Sequence, residues 1–255
     1  MCTLVLLRRP GHRWPVLIAA NRDEMLDRAW DPPGAYWPDR PGVIAGRDKV
    51  AGGSWLGRNA SGVVAAVLNR TDSLGPAAGK RSRGELVLDA LDHDDARDAA
   101  AALAAIDPAA YRTFNLVIAD NRDAYWLASR DGKSPVEAVA LAAGLSMLTS
   151  ANLNDTHNFR ISTYLPRFTE AAVPDPDTND WASWRSVLGS RHSRPEAGPS
   201  GAMSIVTDYG YGTVSSSLFA LASPEAAMRD GLKDIWLFAS GRPDNAEFKP
   251  VNLTA

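Results

Sequence analysis

The only cysteine of this 255-residue chain is its second residue. Removal of Met1 would make Cys2 the N-terminal residue, with a thiol and an α-amine together. A thiol titrates near about 8.5 and a free α-amine near about 7.7 to 8.0, so the amine can take up the thiol proton at neutral pH at little cost. The residue type therefore allows a nucleophile and its base in one residue. It also leaves open an inert packing role for Cys2, or a role as a metal or haem ligand.

Nucleophilic chemistry at Cys2 needs a carboxylate that orients the α-ammonium and neutral donors that face the developing oxyanion. Asp23 suits the first role, and Asn69, together with Asn152 or a backbone N–H, suits the second. Each of these three side chains follows an apolar stretch that ends in polar residues. Simpler roles are open for these residues. Asp23 can equally pair with Arg22 or Arg28 at a surface turn, and Asn69 can satisfy the backbone of a turn.

The element that must position Cys2 is a predicted β-hairpin. Residues 2–7 and 15–20 are apolar, and a Pro-Gly turn signal at 10–11 separates them. A hairpin brings the ends of its two strands together, so we expect Asp23 to lie near Cys2.

The remaining pattern predicts strands, then helices, then strands. The proline-rich segment 25–50 is predicted to be a long loop over the site. Further strands are predicted at 62–69, 113–119, 124–129, 136–139, 145–149, 212–221 and 235–239. Helices are predicted as a pair within 82–106 that is broken near 92–95, and at 159–170 and 181–188. This order indicates an α+β layered fold, and the length suits a single domain over residues 1–255.

Composition narrows the classes of function. The formal net charge of −3 gives no electrostatic reason to expect nucleic acid or an anionic membrane as a partner. No apolar run reaches the roughly 18 to 20 residues of a membrane span. One cysteine and four scattered histidines provide no recognisable metal-ligand spacing. We therefore expect a cytoplasmic protein with no metal site and no resident cofactor, which binds a small molecule.

An ordered series of motifs spans nearly the whole chain: Met-Cys-Thr at 1–3, Ala-Asn-Arg-Asp-Glu at 20–24, Ile-Ala-Gly-Arg-Asp at 44–48, Ala-Gly-Gly-Ser-Trp-Leu-Gly at 51–57, Ser-Arg-Gly-Glu-Leu at 82–86, Phe-Asn-Leu at 114–116 and Tyr-Gly-Thr at 211–213. This series resembles the NRDE family, also called the transport and Golgi organisation protein family. That family in turn resembles N-terminal nucleophile hydrolases of the bile-salt hydrolase and penicillin V acylase kind. The resemblance implies a four-layer αββα sandwich and hydrolysis of a non-peptide C–N bond.

The resemblance also implies site residues. Cys2, Asn21, Asp23 and Asn69 match the positions of the nucleophile, of the Asn and Asp near the end of the second strand, and of the oxyanion Asn. Asn152 lies in a less closely matching context.

Departures from the pattern concern the substrate pocket. The hydrolases carry an arginine immediately before the matching Asn, where this chain has Ala20; Arg22 is two residues further on and would project from the same strand face. A guanidinium pairs well with carboxylate, so Arg22 is expected to bind an anionic end of the substrate. Trp55 either packs in the core or lines an apolar cleft. The chain also departs from the family pattern in residues 154–160. It departs again at Val214, because the family usually has arginine at that position.

A second function class stays open, because the resemblance implies haem trafficking in some members. On that interpretation the protein is a non-catalytic ligand-binding protein on the same fold, with haem as its partner. No Cys-x-x-Cys-His motif is present in the sequence.

Overall fold

The computed structural model describes residues 2–254. Within these residues the chain divides into two compact units. The first unit comprises the described residues up to Arg28 and Ala143–Pro250, and the second comprises Ala29–Ala142 and the described residues from Val251 on. Each unit has its own antiparallel sheet and its own helices, which confirms the predicted α+β class. The assignment of residues 1–255 to a single domain stays a prediction.

The strands described in residues 2–254 are β1 (Thr3–Arg8), β2 (Val16–Met25), β3 (Trp30–Gly34), β4 (Ile44–Asp48), β5 (Leu56–Arg58), β6 (Val64–Asn69), β7 (Phe114–Ala119), β8 (Ala124–Ser129), β9 (Glu137–Ala140), β10 (Gly144–Leu148), β11 (Tyr211–Leu221), β12 (Ile235–Ala239) and β13 (Lys249–Pro250). The α-helices are α1 (Gly84–Ala90), α2 (Ala96–Ala104), α3 (Phe159–Glu170), α4 (Ala182–Leu188) and α5 (Pro224–Asp230). The predicted hairpin is confirmed as β1–β2, and the four predicted helices are confirmed as α1 to α4.

The sheet of the first unit has the strand order β10-β1-β2-β11-β12-β13. One face of this sheet packs against α3 and α4, through a core that includes Val5 and Leu17 on the strands and Tyr164 and Trp184 on the helices. The core is apolar where β2 begins. Towards the end of β2 the same face becomes polar.

The side chains of β2 alternate between the two faces of the sheet, and this determines which polar side chains face α3 and α4. Leu17 and Ala19 lie in the core with α3 and α4. Successive side chains of a strand point to opposite faces, so Asn21 and Asp23 share that helix-covered face, whereas Arg22 projects from the other one.

The sheet of the second unit has the strand order β3 to β9 without crossovers, and α1 and α2 cover one of its faces. Two motif glycines fix the approach of α1. The Ser54 N–H donates to the Gly84 carbonyl at 3.0 Å. A Cβ atom on Gly53 would lie 2.5 Å from the carbonyl carbon of Gly84, so only glycine allows this backbone contact.

The prediction of a long loop over residues 25–50 is wrong, because this segment contains β3 and β4. β3 is an edge strand and includes Pro32 and Pro33, and its pairing with β4 shifts register between Asp31 and Gly34. Proline is compatible with an edge strand, where its missing N–H leaves no inner hydrogen bond unmade. The helix α5 was not predicted, although Ser223 caps it and Pro224 is its first residue.

No helix within residues 2–254 combines the length and the apolar character needed to cross a membrane.

Candidate active site

Cys2 lies immediately before β1 and is half-buried. Its Sγ donates to the main-chain oxygen of Asp23 at 3.8 Å. Burial of the thiol raises its pKa, and the negative charge of Asp23 raises it further, whereas the positive charge of Arg22 acts in the opposite direction. The thiol is therefore mainly protonated at neutral pH and needs a base to become a nucleophile.

The Asp23 carboxylate is fully buried, with 0% of its side chain exposed. Its Oδ1 accepts a hydrogen bond from Thr213 Oγ1 at 2.6 Å. Its Oδ2 accepts one from Arg160 Nη1 at 3.0 Å. Both carboxylate oxygens are thus held by side chains from two other elements, β11 and α3.

Arg160 reaches Asp23 from the first turn of α3 and is buried, with 3% of its side chain exposed. Nη1 also donates to Thr3 Oγ1 at 2.6 Å, and Nη2 donates to the Ser200 carbonyl at 2.6 Å. The start of the helix is fixed by Asn158, whose Oδ1 accepts from the main-chain N–H of Arg160 at 3.1 Å. A capped helix start therefore aims one guanidinium at both strands of the hairpin.

Thr213 is itself fixed in place by two hydrogen bonds to the main chain of Ile205. Its Oγ1 accepts from the Ile205 N–H at 2.8 Å, and its own N–H donates to the Ile205 carbonyl at 3.0 Å. Its hydroxyl proton is thereby directed to Asp23. A register shift between Thr213 and Ser215 leaves Val214 outside the regular pairing with β2.

Asn21 is buried, and its side-chain amide bridges three segments of the first unit. Nδ2 donates to the carbonyls of Leu188 at 3.1 Å and Met203 at 2.8 Å, and Oδ1 accepts from Ser216 Oγ at 2.7 Å. These bonds tie the end of α4 to β2 and β11.

Arg22 is 5% exposed and belongs to the sheet face opposite to Asn21 and Asp23. Thr3 pairs with Asn21, so an extension of that register by one residue places Cys2 opposite Arg22. Directly opposed residues in antiparallel strands share a face, which explains why the charge of Arg22 acts on the thiol.

Two further residues of the first unit are Glu24, which ends the Asn-Arg-Asp-Glu motif, and the predicted oxyanion donor Asn152. Glu24 forms an ion pair with Arg28 at 3.7 Å. Asn152 is half-buried in the turn after β10, and its carbonyl accepts from the Asp155 N–H at 3.3 Å.

Asn69 and Trp55 belong to the second unit. Asn69 is the last residue of β6, is half-buried and pairs with Phe114 of β7. Trp55 is half-buried and makes an edge contact with Trp30, with ring centroids 5.7 Å apart.

Two residues that sequence reasoning had not assigned to the site, Arg160 and Thr213, hold the Asp23 carboxylate. Thr213 was present only as part of the Tyr-Gly-Thr motif. Arg160 carried a recognisable signal, because it lies on the buried face of α3 with Ile161 and Tyr164. A charged residue on an apolar helix face needs a partner.

The geometry can place a thiol beside a main-chain acceptor and hold a fully buried carboxylate in one orientation. Structural comparison shows that the fold is of the N-terminal nucleophile hydrolase type. An N-acylethanolamine-hydrolyzing acid amidase orthologue from Caenorhabditis elegans is 13% identical, with a TM-score of 0.59 over 91% of this chain and 98% of that chain. Penicillin V acylase from Agrobacterium tumefaciens is 15% identical, with a TM-score of 0.51 over 94% of this chain and 83% of that chain. A variant of the conjugated bile acid hydrolase from Clostridium perfringens is 13% identical, with a TM-score of 0.53 over 100% of this chain and 94% of that chain.

Within this fold class the sequence defines the family. Residues 1–188 match the model of the Transport and Golgi organisation 2 family, and the chain belongs to that family. A sequence search of curated proteins gave no match.

Proposed function

We propose that this protein is an N-terminal cysteine hydrolase that cleaves a small-molecule amide C–N bond. One observation carries the proposal: the thiol of Cys2 donates to the main chain of Asp23, whose carboxylate is fully buried and oriented. The fold supports it, because structures of this fold include an acid amidase and an acylase.

In the proposed reaction, removal of Met1 frees the α-amine of Cys2. The amine accepts the thiol proton, and the thiolate attacks the amide carbon, which forms a C–S bond. The resulting ammonium returns the proton to the nitrogen of the leaving amine as the C–N bond breaks. Water then attacks the thioester, so the carboxylic acid leaves and the Cys2 thiol is restored.

Asp23 orients the α-amine in this proposal, and its contacts with Thr213 and Arg160 keep the carboxylate in place. Asn69 and Asn152 are the proposed oxyanion donors, a role that rests on the family resemblance for Asn69 and on residue type for Asn152. A donor aimed at developing charge lowers the barrier because it needs no reorganisation during the reaction.

The substrate-binding residues of the proposal are Arg22, Asn21 and Trp55. Arg22 would pair with an anionic end of the substrate, on the sheet face that it shares with Cys2. Asn21 would act by holding β2 in place, since its amide is engaged by Leu188, Met203 and Ser216. Trp55 would contribute apolar surface.

The test is amine release from a panel of N-acyl amino acids and penicillin V. Hydrolysis of each member frees a primary amine, so one fluorescent amine assay covers the panel. We expect turnover by the wild-type protein and a loss of about 10³-fold or more in Cys2→Ala. Turnover that survives in Cys2→Ala would remove the proposal.

Two further variants separate chemistry from folding. Cys2→Ser keeps a weaker nucleophile and is expected to retain a trace of activity. Ser129→Ala changes a buried residue at the end of β8 in the second unit and is expected to leave turnover unchanged.

The haem-binding alternative has weaker support in the described residues. His157 is almost fully exposed, with 97% of its side chain accessible, and pairs with Asp155. The Cys2 thiol donates to a main-chain oxygen. These two residues do not fit an enclosed haem site. The proposed hydrolysis does not involve haem. Haem titration of the wild type, Cys2→Ala and His157→Ala, followed by Soret absorbance, tests this alternative; no saturable change would remove it.

A further inference from the structure

We propose that Arg160 is a positioning residue that neutralises Asp23 beside Cys2, so that the α-amine of Cys2 stays available as a base. The inference rests on the proposed function, since it assumes that Cys2 is the nucleophile. It adds a residue of α3 that the family motifs do not include.

The geometry makes Arg160 the counter-charge of Asp23. The Oδ2–Nη1 distance is 3.0 Å, and the two side chains are 0% and 3% exposed. The pair is therefore shielded from water. The attraction between the two charges is stronger in this buried environment than it would be in water. The same nitrogen also donates to Oγ1 of Thr3 at 2.6 Å, and Thr3 is the residue that follows Cys2 in the chain.

The groups around Cys2 come from three other elements. β2 contributes Asp23 and Arg22, whose charges act on the thiol in opposite directions. β11 contributes Tyr211, whose hydroxyl donates to the Asp23 carbonyl at 3.3 Å. α3 contributes Arg160. Without Arg160, the net charge of this set would be one unit more negative.

Loss of Arg160 would leave the negative charge of Asp23 without its counter-charge, and this charge would act on both titrating groups of Cys2. It disfavours the thiolate, because the two negative charges repel, and it favours the α-ammonium, because opposite charges attract. Both effects move the nucleophilic form of Cys2 to higher pH. Arg160 prevents this shift, while Asp23 keeps its orienting hydrogen bonds.

The experiment measures the alkylation rate of Cys2 by iodoacetamide between pH 6 and pH 10.5. Cys2 is the only cysteine of the chain, so the modification reports this thiol alone. In Arg160→Met we expect the midpoint of the pH profile to rise by about one pH unit. In Arg160→Lys, which keeps the charge, we expect the midpoint to stay within about 0.3 unit of the wild type.

Two controls guard against a purely structural effect. Arg167→Met removes a positive charge from the same helix at a residue that stacks over Tyr164, and it should leave the midpoint unchanged. The double variant Asp23→Asn/Arg160→Met removes both charges and should return the midpoint to near the wild-type value. It also avoids a buried unpaired carboxylate if Arg160→Met alone fails to fold.

An unchanged midpoint in folded Arg160→Met would overturn the inference, as would an equal shift in Arg160→Lys, or a double variant whose midpoint stays far from that of the wild type. Alkylation needs no substrate turnover. Failure of the hydrolase proposal therefore appears as inactivity on the panel, and failure of this inference appears as a pH profile that is insensitive to the charge of Arg160.

Discussion

The Asp23 carboxylate and the Arg160 guanidinium form a buried ion pair between β2 and α3, with 3.0 Å between Oδ2 and Nη1. The third residue of the Asn-Arg-Asp-Glu motif is thereby fixed to a helix that begins well over a hundred residues later. The pair connects the stability of the first unit to the chemistry proposed for Cys2.

The first prediction concerns the stability of this pair. Arg160→Met or Asp23→Asn alone leaves one buried charge without its counter-charge, which we expect to lower the free energy of unfolding by about 3 to 5 kcal/mol. The double variant should lose less than the sum of the two single losses, because neither charge remains. Urea unfolding of all three variants measures the coupling. Additive losses would mean that the pair contributes no interaction energy.

A second prediction concerns the buried amide of Asn21. Asn21→Leu removes the donor for the carbonyls of Leu188 and Met203 and the acceptor for Ser216. Each unsatisfied buried group costs about 1 to 3 kcal/mol, so unfolding should become easier by at least about 2 kcal/mol. Ser216→Ala removes only one of these bonds and is the matched control. Equal stabilities of the two variants in urea would contradict this account of Asn21.

The third prediction is a dependence of stability on pH. Folding raises the pKa of the Cys2 thiol, so the unfolded chain loses this proton first as the pH rises. The contribution is fully present below about pH 8.5 and is lost as the pH rises towards the folded-state value. Unfolding free energies at pH 7.5, 8.5 and 9.5 should therefore fall more steeply in the wild type than in Cys2→Ala.

The buried Tyr111 affects stability only above this pH range. Burial raises the pKa of Tyr111 to about 12, so its effect on stability has the same sign but begins only above about pH 10. Identical slopes in the wild type and Cys2→Ala below pH 9.5 would show that the thiol pKa is not raised by folding.

A fourth prediction concerns the motif glycines of the second unit. In Gly53→Ala the new methyl group would meet the backbone of Gly84, which cannot move aside. Overpacking of this kind typically costs about 1 to 3 kcal/mol. In Gly34→Ala the neighbour is the far end of the Tyr36 side chain and not backbone, so the cost should be smaller. Thermal unfolding of the two variants compares them directly, and a Gly34→Ala loss as large as that of Gly53→Ala would contradict this explanation.

Elements with a clear local pattern were predictable from the sequence. The β1–β2 hairpin and the helices α1 to α4 follow from the apolar pattern, and α2 and α3 also have side-chain caps, at Asp95 and Asn158. The edge strand β3 was not predictable in the same way, because Pro32 and Pro33 indicate a loop unless the strand is known to lie at an edge.

The site was predictable in part. Asp23 stood out because it follows an apolar strand, and its main-chain oxygen does receive the Cys2 thiol. Arg160 could not be paired with it, since the two residues are 137 positions apart and only the packing of α3 on the sheet brings them together. The same limit applies to Asn21, whose partners Leu188 and Met203 come from distant segments.

We propose that Cys2 is the N-terminal nucleophile of the mature protein. Condensation with 2-cyanobenzothiazole tests its first requirement, because the reagent forms a stable ring only with a cysteine that has both a free thiol and a free α-amine. The purified protein is unfolded and treated with the reagent, and its mass is then measured by intact mass spectrometry. We predict a protein that lacks the mass of Met1 and gains one adduct. A protein that retains Met1 and forms no adduct would contradict the claim, since the α-amine that acts as base would be absent.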